Sequence, residues 1–308
     1  MDFLTRLPVV GPLVARLLRS RPWLAYAHMN EVQGNRLAGA VTFFGFLALF
    51  PLLTVAFAIA VKTLSDSRVE QLQDDIAEQV PGLSDALDLP ALVANAGTVG
   101  VISGVLLLVS GLGWVDTMRG SVREIWRLPQ EDGNPVLRKL WDCAVLLGLG
   151  VVTAVSLGAS AVATTLARRA ADWLELDGVG WLLTAIGFVI AVGADFVLFS
   201  YLLGPFPRIT DHLERRALVT GALIGAVGFE LLKLLLSSYL GSVAGKSLYG
   251  AFGVPVALLL WINFVSRLLM YCASWTALAD PDAARARTRE RAAALLESAE
   301  PAGAAETS

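Results

Sequence analysis

Residues Arg36 to Lys62 read RLAGAVTFFGFLALFPLLTVAFAIAVK, a run of 25 uncharged residues between two cations. A helix rises about 1.5 Å per residue, so this run reaches roughly 37 Å and exceeds the ~30 Å hydrocarbon core of a bilayer. It is apolar on every face, whereas a helix at the surface of a soluble protein keeps one face polar. Two more runs of membrane length follow. Asp88 to Asp116 encloses 27 uncharged residues, and Asp142 to Arg168 encloses 25. Three further apolar regions each carry an ionisable residue: Val179–Leu203 holds Asp195, Ala217–Leu240 holds Glu230 and Lys233, and Val254–Ala279 holds Arg267.

The bulk composition agrees with these runs. Of 308 residues, 56% are hydrophobic and 17% charged, and the mean hydropathy is +0.64. A soluble domain carries about 25% charged residues. The reading is an all-α protein, a six-helix transmembrane bundle with spans at about 38–61, 96–115, 143–167, 179–203, 217–240 and 254–279. Residues 1–36 form a cytoplasmic interfacial N-terminal segment, 37–279 the membrane domain, and 280–308 a cytoplasmic tail that is partly disordered.

Orientation follows from Lys and Arg in the connections. From the N-terminal segment to the tail they number 5, 2, 5, 2, 3, 1 and 4. The alternation places both termini in the cytoplasm. The longest outside connection, 62–95, carries seven acids and places Val69, Leu72 and Ile76 at roughly helical spacing. It reads as one or two amphipathic helices broken at Pro81-Gly82. The N-terminal segment is amphipathic too, with Val9, Leu13 and Leu17 on one face and Arg16, Arg19 and Arg21 in reach of headgroups. It lacks the basic, apolar, small-residue order of a cleaved signal peptide.

Several function classes find no residues to carry them. The net charge is −3, so no basic excess points to nucleic acid. Cys143 and Cys272 lie too far apart in sequence for a zinc motif and read as small buried apolar residues. His28 and His212 are the only imidazoles, and no HExxH, GxSxG or GxxxxGK[ST] motif is present. The sequence implies no metal and no cofactor. The partners it implies are membrane lipids and a lipid-like substrate.

Three stretches carry a family resemblance. The first is Leu37-Ala38-Gly39-Ala40-Val41-Thr42-Phe43-Phe44, continuing to Leu47-Ala48-Leu49-Phe50-Pro51-Leu52. The second is Met118-Arg119-Gly120-Ser121-Val122-Arg123-Glu124-Ile125-Trp126. The third runs from Gly221 through Phe229-Glu230 and Lys233 to Leu248-Tyr249-Gly250-Ala251-Phe252-Gly253 and Trp261. In this order, over residues 30–280, they resemble the YihY/BrkB family of bacterial inner-membrane proteins. The resemblance implies six spans. It brings a ribonuclease label, a serum-resistance label and, for some members, a link to envelope lipid export. RNA hydrolysis needs a metal-binding cluster or a histidine acid–base pair, and the two histidines have no such company. The family pattern ends its last span with Gly-Ala-Glu, where this chain has Cys272-Ala273-Ser274. A carboxylate at that position is therefore missing.

The candidate site residues are the ionisable groups within the spans, each costing about 2.5–3.5 kcal/mol on insertion scales. Glu230 and Lys233 are i,i+3 neighbours on one face, and the resemblance covers both. Asp195 and Arg267 lie outside it and would pair if spans four and six adjoined. Two readings stay open: an ion-pair network that fixes packing, or a polar cavity that binds a charged group or relays protons. Arg119, Arg123 and Trp126 are placed to contact phosphates or headgroups at the inner end of span two. Pro51, in the middle of span one, and Pro205, at the close of span four, are the helix-kink candidates. Gly100-x3-Gly104 and Gly221-x3-Gly225 permit close helix contact. The function expected is transport or flipping of an amphiphilic anionic envelope molecule, and the alternative is a membrane scaffold that transports nothing.

Overall fold

The computed structural model describes residues 20–63, 65, 67–69, 71, 95–129, 139–145, 148, 180–243 and 253–279. The Val9, Leu13 and Leu17 face, most of the 62–95 connection, most of span 143–167, the stretch up to Phe252 and the tail from Asp280 lie outside them. Every regular element among the described residues is helical. We number them α1 (Arg21–Glu31), α2 (Gly34–Thr63), α3 (Ala96–Ile125), α4 (Gly180–Leu203), α5 (Arg215–Val243) and α6 (Gly253–Ala277). A 3-10 turn, Thr210–His212, precedes α5, and residues 139–145 are helical.

Four of the helices are long and apolar enough to cross a membrane: α2, α3, α5 over Arg215–Leu236 and α6 over Pro255–Ala277. A shorter apolar stretch, Phe188–Leu203, lies in α4. α3 continues past residue 115 to Ile125 as one helix. Asp116 and Arg119 lie inside it and pair with each other at 2.8 Å.

Local chemistry sets the other boundaries. Pro22 opens α1, where its missing N–H costs nothing. Gln33, at φ 55°, separates α1 from α2. Arg127, at φ 53°, closes α3, with its N–H on the Glu124 carbonyl and the Leu128 N–H on that of Arg123. Pro51 lies inside α2, which runs through it as one helix. Pro205 lies beyond Leu203 and so does not kink α4. It belongs to the turn that follows, where the Phe206 N–H bonds the Tyr201 carbonyl at 3.0 Å.

In the bundle α2 packs on α3 and on α6, α6 on α5, and α5 on α4, while α1 lies against α6. Glycines permit two of these approaches. A β-carbon on Gly225 would stand 2.2 Å from the Phe199 ring of α4, and one on Gly221 2.7 Å from the Thr276 methyl of α6. This glycine pair therefore serves two different neighbours. Of the other pair, Gly100 faces Ala58 across α2, while Gly104 has open space.

One end of the bundle gathers the start of α2, the ends of α3, α4 and α6, and the start of α5. His28 Nε2 donates to the Ile125 carbonyl at 2.9 Å, and Tyr271 to the Pro22 carbonyl at 3.3 Å. The Arg21 guanidinium lies 4.7 Å from the Trp275 ring centroid, and Trp275 donates to Thr220 at 3.0 Å. The apolar core is concentrated toward this end, around Val122, Ile125, Phe199, Leu203, Phe206 and Met270. Away from it, Leu53, Val101, Val109, Leu234 and Leu235 are exposed. Such broad apolar exposure suits lipid and not water.

Candidate functional site

The charged groups of α4 and α5 meet at the middle of the bundle. Asp195 stands eight residues before the end of α4, about 12 Å along the helix. Glu230 stands near the midpoint of α5, and Lys233 follows it on the same face. Lys233 Nζ donates to Glu230 Oε1 at 2.7 Å and to Asp195 Oδ2 at 2.9 Å. One ammonium thus holds two carboxylates on two helices. Asp195 and Glu230 are buried, whereas the Lys233 side chain is 37% exposed. Its Nζ also lies 4.9 Å from the Phe229 ring centroid, and Phe229 packs on Trp261 of α6 at 5.7 Å. The aromatic faces favour a cation there.

Asp195 pairs with Lys233 and not with Arg267. On α6, Ser266 points inward and is buried, and Arg267, the next residue round the helix, is exposed. Among the described residues it makes no ion pair. The sequence spacing of Glu230 and Lys233 showed their shared face. The arrival of Asp195 depends on the packing of α4 against α5, which no local pattern reveals.

A second charged group lies nearer the α1 end, and it turns inward the residues read as headgroup contacts. Arg119 is 3% exposed and Asp142 2%. The Arg119 fork holds both oxygens of Asp142, one of them at 3.0 Å, and also reaches Asp116 at 2.8 Å. Arg123 donates to the carbonyls of Pro207 and Pro129, each at 2.9 Å. Trp126 is buried, and its indole N–H has no hydrogen-bond partner among the described residues. The physical reason is that the end of α3 docks on the 204–209 turn and on residues 139–145, so its arginines meet protein before they reach lipid. Asp142 was used in the sequence only as the boundary of an apolar run. Its signal was a lone acid at the mouth of a span, 23 residues after an arginine at the mouth of another.

Apolar helices of membrane length and exposed apolar outer faces define a multi-span helical membrane protein. The family model described as Virulence factor BrkB matches residues 25–295, and the chain belongs to that family. It is 32% identical over 287 residues to an uncharacterized protein of Dickeya dadantii (strain 3937), covering 88% of this chain and 84% of the relative. It is 29% identical over 284 residues to the inner membrane protein YhjD of Escherichia coli (strain K12), covering 87% and 82%. A UPF0761 membrane protein of Verminephrobacter eiseniae (strain EF01-2) is 31% identical over 241 residues, covering 73% of this chain and 54% of the relative. No solved structure matches the chain.

Proposed function

We propose that this chain transports or flips an amphiphilic, anionic envelope molecule across the bacterial inner membrane. The observation that carries the proposal is Lys233, an ammonium midway through the bundle that is tied to two buried carboxylates and yet partly exposed. A cation held at that depth is costly unless it has a polar partner. An anionic headgroup passing along the bundle would be such a partner. The six spans and the cytoplasmic termini belong to the same reading. In their support, Arg123, Arg127, Arg208, Arg215 and Arg216 all stand near the α1 end, as cytoplasmic basic residues do. Asp142 stands against Arg119 near that end. α4 closes at the same end, and six spans require a crossing between Asp142 and the start of α4.

A second reading rests on the Arg119–Asp142 pair and on Arg123 at the Pro207 carbonyl. These contacts lock one end of the helices together, as a fixed scaffold that binds envelope partners would require.

The test reconstitutes the purified chain in vesicles of phosphatidylethanolamine and phosphatidylglycerol. A fluorescent phosphatidylglycerol analogue is then followed between leaflets by chemical quenching. Transport predicts exchange faster than in empty vesicles, lost in Lys233→Met and kept in an exposed-surface control, Arg216→Gln. Exchange equal to empty vesicles would favour the scaffold.

A further inference from the structure

Two carboxylates share one ammonium in the triad, which leaves one negative charge uncompensated among the described residues. The elements packed around it offer little to balance that charge. α6 meets α5 through Trp261 on Phe229 and Leu268 beside Gly228, and its one charged residue, Arg267, is exposed. α4 carries no charged residue besides Asp195, and α5 none after Arg216 besides Glu230 and Lys233. An excess charge at membrane depth is expensive.

We propose that the Asp195–Lys233–Glu230 triad takes up one proton from the aqueous phase and thereby releases the Lys233 ammonium to an anionic headgroup. A proton from water bonds a carboxylate oxygen of Asp195 or Glu230. That oxygen becomes a neutral O–H donor, and its ionic hold on Nζ weakens. The triad passes from an excess negative charge to neutrality, and the ammonium, the most exposed member, is the one left to engage an arriving anion. A metal cation fits less well, because Lys233 Nζ already occupies the inner oxygens of both carboxylates at 2.7 and 2.9 Å. The headgroup half of the proposal rests on the transport reading above, and the proton half stands without it.

The test is infrared difference spectroscopy of the full chain in phosphatidylethanolamine–phosphatidylglycerol vesicles, acidified from about pH 9 to about pH 6. Exposed carboxylates titrate near pH 4 and are silent in that window. The expected result is a protonated-carboxyl band of about one group per chain. It should be absent from Asp195→Asn with Glu230→Gln and kept in Asp116→Asn. If the double variant does not fold, carboxyl-labelled aspartate and glutamate in the unaltered chain assign the band by its isotope shift. No band, a band that survives the double variant, or a band shifted by neither label overturns the proposal. Lipid exchange without the band overturns the proton site and leaves transport standing. The band without lipid exchange keeps the proton site and removes the transport reading.

Discussion

Arg119 of α3 and Asp142 of the 139–145 helix are paired through both carboxylate oxygens and are shut away from solvent together. Their positions lie 23 residues apart, and the pair fastens the end of α3 to the segment that follows it. Asp116, one turn back on α3, holds the other side of the same guanidinium and remains half exposed. Asp142 has no other cation shown against it, so the fold depends on this guanidinium more than Arg119 depends on any one carboxylate.

Removing either partner should therefore be costly. Breaking a buried pair commonly destabilises by about 3–5 kcal/mol, because a charge is left unpaired. Arg119→Met is expected to lower the melting temperature in detergent more than Asp116→Asn does. Arg119→Met with Asp142→Leu should recover much of the loss. Arg119→Lys should not rescue, since an ammonium cannot reproduce the fork. A Lys variant as stable as the unaltered chain would show that the bidentate geometry carries no weight.

Within the triad the losses should be unequal. Glu230→Gln leaves Lys233 its contact with Asp195 at 2.9 Å. It also removes the excess negative charge of the triad, so the loss is expected to be small beside that of breaking a lone buried pair. Lys233→Met leaves two buried carboxylates facing each other without their cation and should reduce membrane yield further. Measured yield and melting temperature in the order Glu230→Gln above Lys233→Met would support this, and the reverse order would contradict it.

The contact of α4 with α5 should be sensitive to one methyl group. A β-carbon at Gly225 would stand 2.2 Å from the Phe199 ring. Overpacking of this kind typically costs about 1–3 kcal/mol. Gly225→Ala is expected to destabilise, and Phe199→Leu in the same chain to relieve it in part. Gly104→Ala, with open space around it, should be close to neutral. Thermal unfolding of the three variants separates these outcomes.

Topology has a direct readout. A reporter active only outside the cytoplasm should work when inserted near Asp85 and fail at Gly133 or after Asp280. Activity after Asp280 would overturn the six-span reading with cytoplasmic termini.

The legible part of this protein follows from composition along the chain. The uncharged run from Arg36 to Lys62 needs no partner to declare a membrane helix, because length and apolarity alone satisfy a bilayer. α5 over Arg215–Leu236 and α6 over Pro255–Ala277 are long and apolar enough to cross for the same reason. α3 runs on through Asp116 and Arg119, which pair within it.

The site divides in the same way. Glu230 and Lys233 share a face by helical periodicity, which a linear sequence displays. The choice between Asp195 and Arg267 as the third member, and the burial of Arg119 and Trp126, rest on which helices touch. The sequence by itself determined the membrane class, the all-helical character and the identity of the charges within the apolar runs. Tertiary structure alone decided which charge answers which. An ion pair is settled by a few ångströms between side chains, and helix packing brings residues 38 positions apart, such as Asp195 and Lys233, into that range.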